Sequence, residues 1–334
     1  MAAEYNATVV SRVEVAPGLI ILRVAPDKLP FEFRSGQYVV LGLKATEPRV
    51  EGAEADVPGV VASGAVESPW AGTAASPLAV AATGVTAAGV TAAASAVSPL
   101  AGTGIAGTPE SQWAVDAQAE AVARAAADPD RMIRRAYSIA SESRADEYLE
   151  FYLTLVMSGE LTPRLFNLKI RDRVYVGPKA VGVFTLDKAP GKHILMIGTG
   201  TGLAPYMSML RSELVCNGPR KFVVVHGARF SWDLGYRTEL TGLARHCGNF
   251  NYMPVITRPQ EDVTWRGRSG YLQNVIASGV IEEETGLELT SDNFDIFLCG
   301  NPGMIETVIE LAEARGFVRD KGHDIGTLHT EEYW

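Results

Sequence analysis

After Gly191, four apolar runs, HILMIG, FVVVHGA, NYMPVIT and FDIFLCG, alternate with helix-like stretches near 205–215, 237–246, 270–278 and 302–315. That β-α-β-α rhythm constrains the chain more than any other feature, because it folds into a parallel, doubly wound sheet. Such a sheet gathers ligands in the loops at the carboxyl ends of its strands. The first of these loops is GTGTGLAPYM, residues 198–207, directly after HILMIG. It departs from a GxGxxG fingerprint, since Leu203 stands where the third glycine would be. Gly198, Gly200 and Gly202 still let a backbone approach a pyrophosphate, and Pro205 suits the first turn of a helix whose N-terminus favours an anion. A tight strand-to-helix turn would ask for the same glycines.

The second strand sharpens the choice. An NAD site usually offers an acidic residue to the ribose hydroxyls at this point, whereas FVVVHGAR ends in Arg229. A guanidinium there suits a 2′-phosphate, so NADP is expected in preference to NAD. Arg258, after NYMPVIT, and Arg268 could add charge to the same site, although each alone would pass for a solvated surface arginine. The fourth strand closes on CGNPGM, residues 299–304, whose small residues would let a flat ring lie against the backbone. Taken alone, Cys299 reads as a core cysteine.

Upstream the pattern is different. NATVVSRVEVA, LIILRVA, GQYVVLGL, RAYSIAS, YLEFYLTLVM and DRVYVG are short alternating or apolar runs set between Gly, Pro and polar turns. Many short strands with one helix, TPRLFNLK, predict a small antiparallel β-barrel. The expected fold is β + α/β: a barrel domain over 1–190 and a doubly wound parallel α/β domain over 191–334, each with room for its own core in 334 residues. An insert over 51–133 interrupts the barrel. From Ser68 to Pro109 it carries no charged residue, and SPWAGT at 68–73 returns as SPLAGT at 98–103. A membrane span over 78–97, a packed repeat and a mobile low-complexity segment compete here. The third is favoured, because Ala, Gly and Thr bury too little to offset ordering entropy. The last part, QWAVDAQAEAVARAAAD between Pro109 and Pro129, predicts one Ala-rich helix.

A net charge of −9 argues against bulk nucleic-acid binding. Residues 1–17 hold Glu4 and Glu14 and no apolar core, so no signal peptide is expected. The three cysteines, Cys216, Cys247 and Cys299, are odd in number and widely spaced, which fits a reducing, cytoplasmic setting rather than a disulfide framework. They are too few for a four-thiolate iron–sulfur cluster, so electron transfer would need an organic cofactor.

RRAYSIAS, residues 134–141, supplies candidates for holding one. On an alternating strand Arg135 and Tyr137 face one side and Ser138 the other. An arginine for phosphate, an aromatic face and a hydroxyl for a ring nitrogen would suit a flavin nucleotide, though such residues commonly serve packing and surface. GELTP, residues 159–163, offers a second phosphate cradle, with Gly159 in the turn, Thr162 as a cap and Pro163 starting the helix.

RAYS, EFYLTLVMSGELTPRL, GTGTGLAPY, VHGAR, LCGNPGM and HTEEYW occur together and in this order. On these motifs the chain resembles the short bacterial ferredoxin (flavodoxin)–NADP(+) reductases over residues 5–45 and 134–334; the insert is no part of that pattern. The resemblance implies that Arg135 holds the FAD pyrophosphate next to Ala136, that Tyr137 stacks on the isoalloxazine and that Ser138 sits near flavin N5. Tyr152, Glu160, Leu161 and Thr162 would line the FAD, with Thr201 reaching it from the loop that carries Gly200 and Gly202. Ala228, Arg229, Thr257, Arg258 and Arg268 would hold the adenosine end of NADP. Gly300 and Asn301 would lie along the rest of that nucleotide, and Cys299 near the nicotinamide. Tyr333 and Trp334 would cover the FAD. Glu331 is a candidate proton carrier, an exposed surface acid being the plain alternative, so the expected catalytic residues are Ser138, Cys299 and Glu331.

The implied activity is hydride exchange between NADP(H) and FAD, coupled to single-electron exchange with ferredoxin or flavodoxin. A monomer with no metal and no membrane span is expected. Residues 160–192, with seven Lys/Arg against three Asp/Glu, could dock an acidic carrier or simply form a solvated face. An NAD(P)H-dependent flavin reductase or oxygenase reductase component would share the scaffold. A non-catalytic nucleotide-binding redox sensor is the reading from another class.

Overall fold

Two six-stranded sheets carry the chain in this computed structural model, which describes residues 4–53, 128, 130–144, 146–321 and 324–332. The first sheet comprises β1 (Ala7–Ala16), β2 (Leu19–Pro26), β3 (Tyr38–Lys44), β4 (Met132–Ser138), β5 (Leu149–Thr154) and β6 (Arg173–Val176). Its order is β4-β3-β6-β1-β2-β5, and every pairing is antiparallel. The edge strands meet where the Ala140 N–H donates to the Glu150 carbonyl at 2.7 Å, so the sheet curls into the expected barrel. Alternation fills it: Ile20, Leu22 and Val24 point inward beside Val39, Leu41, Leu43, Phe151 and Leu153. The outward face of β2 and β5, with Leu19 and Tyr152, packs against the second half of the chain.

The barrel's helix, α1 (Thr162–Asn167), lies where TPRLFNLK predicts it, but Thr162 does not cap it. Leu161 occupies the N-cap position. The Thr162 hydroxyl instead accepts from Val156 N–H at 3.0 Å and donates to Val156 O at 3.1 Å, because the end of β5 offers it two backbone partners.

The second sheet contains β7 (His193–Thr199), β8 (Phe222–Ala228), β9 (Phe250–Ile256), β10 (Arg268–Ser269), β11 (Phe294–Gly300) and β12 (Leu328–Glu332), all parallel, in the order β10-β9-β8-β7-β11-β12. Between them run α2 (Ala204–Glu213), α3 (Arg237–His246), α4 (Leu272–Ala277), α5 (Val280–Thr285) and α6 (Pro302–Glu313). Leu195, Ile197, Val223, Val225, Ile296 and Leu298 face α4 and α6. Met196, Val224, Phe297 and Cys299 face α2, α3 and the barrel. One apolar core is therefore shared by both halves.

β10, α5 and β12 are additions to the elements expected from periodicity. A further correction concerns the thiols. Cys216 and Cys247 form a disulfide with a Cα–Cα distance of 4.6 Å, in the segments that follow α2 and α3, where Asn217 N–H donates to the Asn249 side chain at 2.7 Å and Gly248 N–H donates to the Asn217 side chain at 2.9 Å. The stretch 54–127, with nearly all of the helix expected over 109–128, lies outside the described residues, as do Tyr333 and Trp334. Among the described residues no helix is long and apolar enough to cross a membrane.

Candidate active site

The chain runs outward from β7 to β10 and then returns to β11 on the other side of β7, so the sheet reverses direction between β7 and β11. Ligands bind at such a switch point. Here β7 ends in the glycine loop and β11 ends in Cys299-Gly300-Asn301. The loop tightens into a single turn over Gly200–Leu203 and passes straight into α2. Gly202 has no substitute, since a Cβ there would lie 2.5 Å from the Cys299 carbonyl oxygen. Gly200, in contrast, faces open space. Asn301 caps α6 by accepting from Met304 N–H at 3.1 Å, while its own N–H donates to Thr199 Oγ1 at 2.8 Å. Tyr206 Oη lies 2.9 and 2.8 Å from the carbonyls of Ile197 and Phe297, fastening β7 to β11 from below.

Register brings the expected catalytic residues together. Cys299 is paired with Gly198 on one side and with Glu331 on the other. Ser138, at the end of β4 in the barrel, donates its hydroxyl to Glu331 Oε2 at 3.2 Å across 193 residues of sequence. Glu331 is half-buried in the edge strand β12, not an acid on an open surface, and the Cys299 thiol is buried. Behind the loop His226 is wholly buried, with Nδ1 3.2 Å from Tyr252 Oη; burial holds its pKa down to about 4, so the ring is neutral near pH 7.

Along β4, Arg135 is exposed and Ala136 follows it, while Tyr137 is half-buried and burial pushes its phenol pKa up. Glu160 gathers two guanidinium groups, accepting from Arg135 at 3.0 Å and from Arg131 at 3.1 Å. Arg164 supports the same turn from inside, donating to Glu160 O at 2.6 Å and Ala45 O at 2.7 Å. Leu161 is buried beneath it, and Thr201 lies in the turn of the glycine loop. Tyr152 takes a different position. Its hydroxyl lies against Asp233 and Gly235 of the second half.

At the far end of the edge, backbone bonds of 3.0 Å from Thr257 to Ala228 and from Arg258 to Arg229 extend the β8–β9 pairing by two residues. The guanidinium carbons of Arg229 and Arg258 each lie 5.9 Å from the Phe230 ring. Burial, reinforced by the like charge of Arg258, lowers the Arg229 pKa. Arg268 is turned away from this pair towards Glu284 of α5, with which it is ion-paired. Of the seven cations in the basic island, Arg164 is buried, Arg173 pairs with Asp27, Lys188 with Asp320 and Lys192 with Asp295, which leaves Lys169, Arg171 and Lys179 exposed.

Residues 196–310 match the family model for the oxidoreductase NAD-binding domain. The flavodoxin/ferredoxin–NADP reductase of Escherichia coli K12 is 35% identical over 205 residues, covering 60% of this chain and 81% of that protein. The ferredoxin–NADP reductase of Azotobacter vinelandii is 36% identical over 196 residues, covering 56% and 74%. Among solved structures, a ferredoxin NADP+ reductase from Neisseria gonorrhoeae with bound FAD and NADP matches with a TM-score of 0.63 at 18% identity, over 98% of this chain and 97% of that one. That likeness speaks to the fold, and the sequence matches speak to descent. A further relative, the flavodoxin/ferredoxin–NADP reductase of Buchnera aphidicola subsp. Baizongia pistaciae, is 30% identical over 207 residues, 61% of this chain and 82% of that protein. The chain belongs to the flavodoxin/ferredoxin–NADP reductase family.

Proposed function

We propose that this protein exchanges a hydride between NADP(H) and FAD and passes single electrons between FAD and ferredoxin or flavodoxin. The Ser138–Glu331 hydrogen bond carries this reading. It joins one polar side chain from each half at the switch point, where a flavin on the barrel and a nicotinamide on the parallel sheet have to meet.

The residues present fit both cofactors. β4 offers an exposed guanidinium, an aromatic ring and a hydroxyl in the order that a flavin nucleotide's phosphate, ring and ring nitrogen require. Open space over Gly200 admits a second nucleotide, and the Arg229–Arg258 pair matches a 2′-phosphate. Arg135, Ala136, Tyr137, Ser138, Glu160, Leu161, Thr162 and Thr201 would hold FAD. Gly202, Ala228, Arg229, Thr257, Arg258, Cys299, Gly300 and Asn301 would hold NADP. Arg268 would join them only by leaving Glu284.

Bound FAD supplies a ring that handles both two-electron and one-electron steps. The chain supplies orientation and proton handling. Glu160 fixes the Arg135 guanidinium in place. The closed turn at Gly202 lets the glycine loop lie directly against the Cys299-Gly300 backbone, which would face the nicotinamide end. Glu331 holds the Ser138 hydroxyl and can receive or return a proton at that oxygen. Lys169, Arg171 and Lys179 would meet an acidic carrier, with attraction that weakens as salt rises.

A spectrum of purified protein tests the proposal. Flavin bands that bleach with NADPH, followed by turnover with ferredoxin or flavodoxin above that with free flavin, are expected. A colourless protein that binds no FAD would overturn it, and faster turnover with free flavin would make it a flavin reductase.

A further inference from the structure

Glu150 and Tyr152 sit two residues apart on β5 and share its outward face, away from the barrel interior filled by Leu149, Phe151 and Leu153. Both reach the same short loop of the other half. Glu150 is 1% exposed and accepts from Arg23 at 2.6 Å, from Arg211 of α2 at 2.7 Å and from the Tyr236 hydroxyl at 2.7 Å. The Tyr152 hydroxyl accepts from Gly235 N–H at 3.0 Å and lies 3.3 Å from the Asp233 carbonyl. The two tyrosine rings meet edge to face at 5.2 Å.

The loop at the receiving end bears two marks of this grip. Tyr236 holds a left-handed backbone, φ 58°, which a bulky side chain keeps only where its surroundings impose it. Gly235 is required by close approach, because a Cβ there would lie 2.2 Å from Tyr152 Oη. Residues 229–236 begin with Arg229 and Phe230 and end at this clasp. Near its start the loop is fixed by Ser231 N–H donating to Asp262 at 2.8 Å.

We propose that Tyr236 is a positioning residue through which the barrel strand β5 sets the 229–236 loop, and with it the Arg229–Arg258 pair that selects NADPH over NADH. The selectivity of the nucleotide half is then partly fixed by the flavin half. This rests on the NADPH-reductase reading above.

Tyr236→Phe keeps the ring and leaves Glu150 its two arginines, so the fold is retained. Gly235→Ala pushes the same loop off the Tyr152 hydroxyl by a different route. The measurements are KM and kcat for NADPH and NADH with ferricyanide as acceptor, the affinity for 2′-phospho-AMP, FAD content and melting temperature. Both variants are expected to raise the NADPH KM and weaken 2′-phospho-AMP binding about tenfold. NADH parameters, kcat with NADPH and FAD content should stay unchanged. Equal losses with both nucleotides, or no change in 2′-phospho-AMP affinity in a folded, FAD-loaded variant, would overturn the proposal. Wild-type protein whose flavin NADPH fails to reduce would instead sink the reductase reading, so the two failures are distinct.

Discussion

Arg229 and Arg258 place two like charges at one aromatic ring, an arrangement that a bound phosphate would relieve. Replacing Arg229 with Asp should remove a contact of roughly 1.5–3 kcal/mol. The NADPH Michaelis constant should then rise far more than that for NADH, and steady-state kinetics with both nucleotides will show whether it does. At the junction, Ser138→Ala severs the link to Glu331 and should slow flavin reduction by NADPH about a hundredfold in stopped flow, with FAD still bound. An unchanged rate and pH profile would remove both residues from the proton path. Short motifs make most of these proposed residues legible in the sequence. The contacts of Tyr152 are not legible there, since alternation fixes which face of β5 it takes but not what lies opposite. Thr162 was misread for a related reason: a hydroxyl near a helix start takes whichever backbone partner is closest.

At the scale of elements, the apolar strands announced themselves and the edges did not. β12 reads LHTEE, with four polar residues in five, because an edge strand pairs on one side only and need not be apolar throughout. β10 is two residues long and leaves no period to detect. The Cys216–Cys247 bond depends on the segments after two helices meeting, which spacing in the sequence does not reveal. Contacts between elements likewise surface only in three dimensions, and the Glu150 network is the chief of them. Arg211, Tyr236 and Arg23 outweigh burial and hold the Glu150 carboxyl below the usual glutamate range. Stability from a carboxylate of lowered pKa is complete above its unfolded value and is lost as pH falls through the folded one. Glu150→Gln should therefore destabilise the protein by about 3 kcal/mol at neutral pH, with the gap to wild type closing below about pH 4. Melting curves across that range measure it, and a gap independent of pH would mean that the charge is not what holds the halves together.

For the whole molecule, β3 and β4 flank residues 54–127, which lie outside the described residues. The insert expected over 51–133 reaches too far at its end, because β4 begins at Met132 and Ile133 is buried opposite Leu43. Asp130 and Arg131 also have partners in Lys44 and Glu160. A deletion confined to 54–127, closed with a short glycine linker, should give a protein that binds FAD and oxidises NADPH with an artificial acceptor. Loss of flavin would show that the removed stretch belongs to the core.

The β3–β4 ladder has a consequence for how the chain assembles. β1 and β2 are joined by Pro17-Gly18 alone, whereas β3 and β4 pair from Tyr38–Ser138 to Lys44–Met132 with the whole interrupting stretch between them. Closing that loop carries an entropy that grows only with the logarithm of its length, so the native state tolerates it, but the encounter of the two strands comes late. The β1–β2 hairpin and its neighbour β5 can form a nucleus without β4, and β4 carries Arg135, Tyr137 and Ser138. During refolding the strand proposed to bind the flavin would be the last piece of the barrel to arrive, with cofactor capture trailing the recovery of bulk secondary structure.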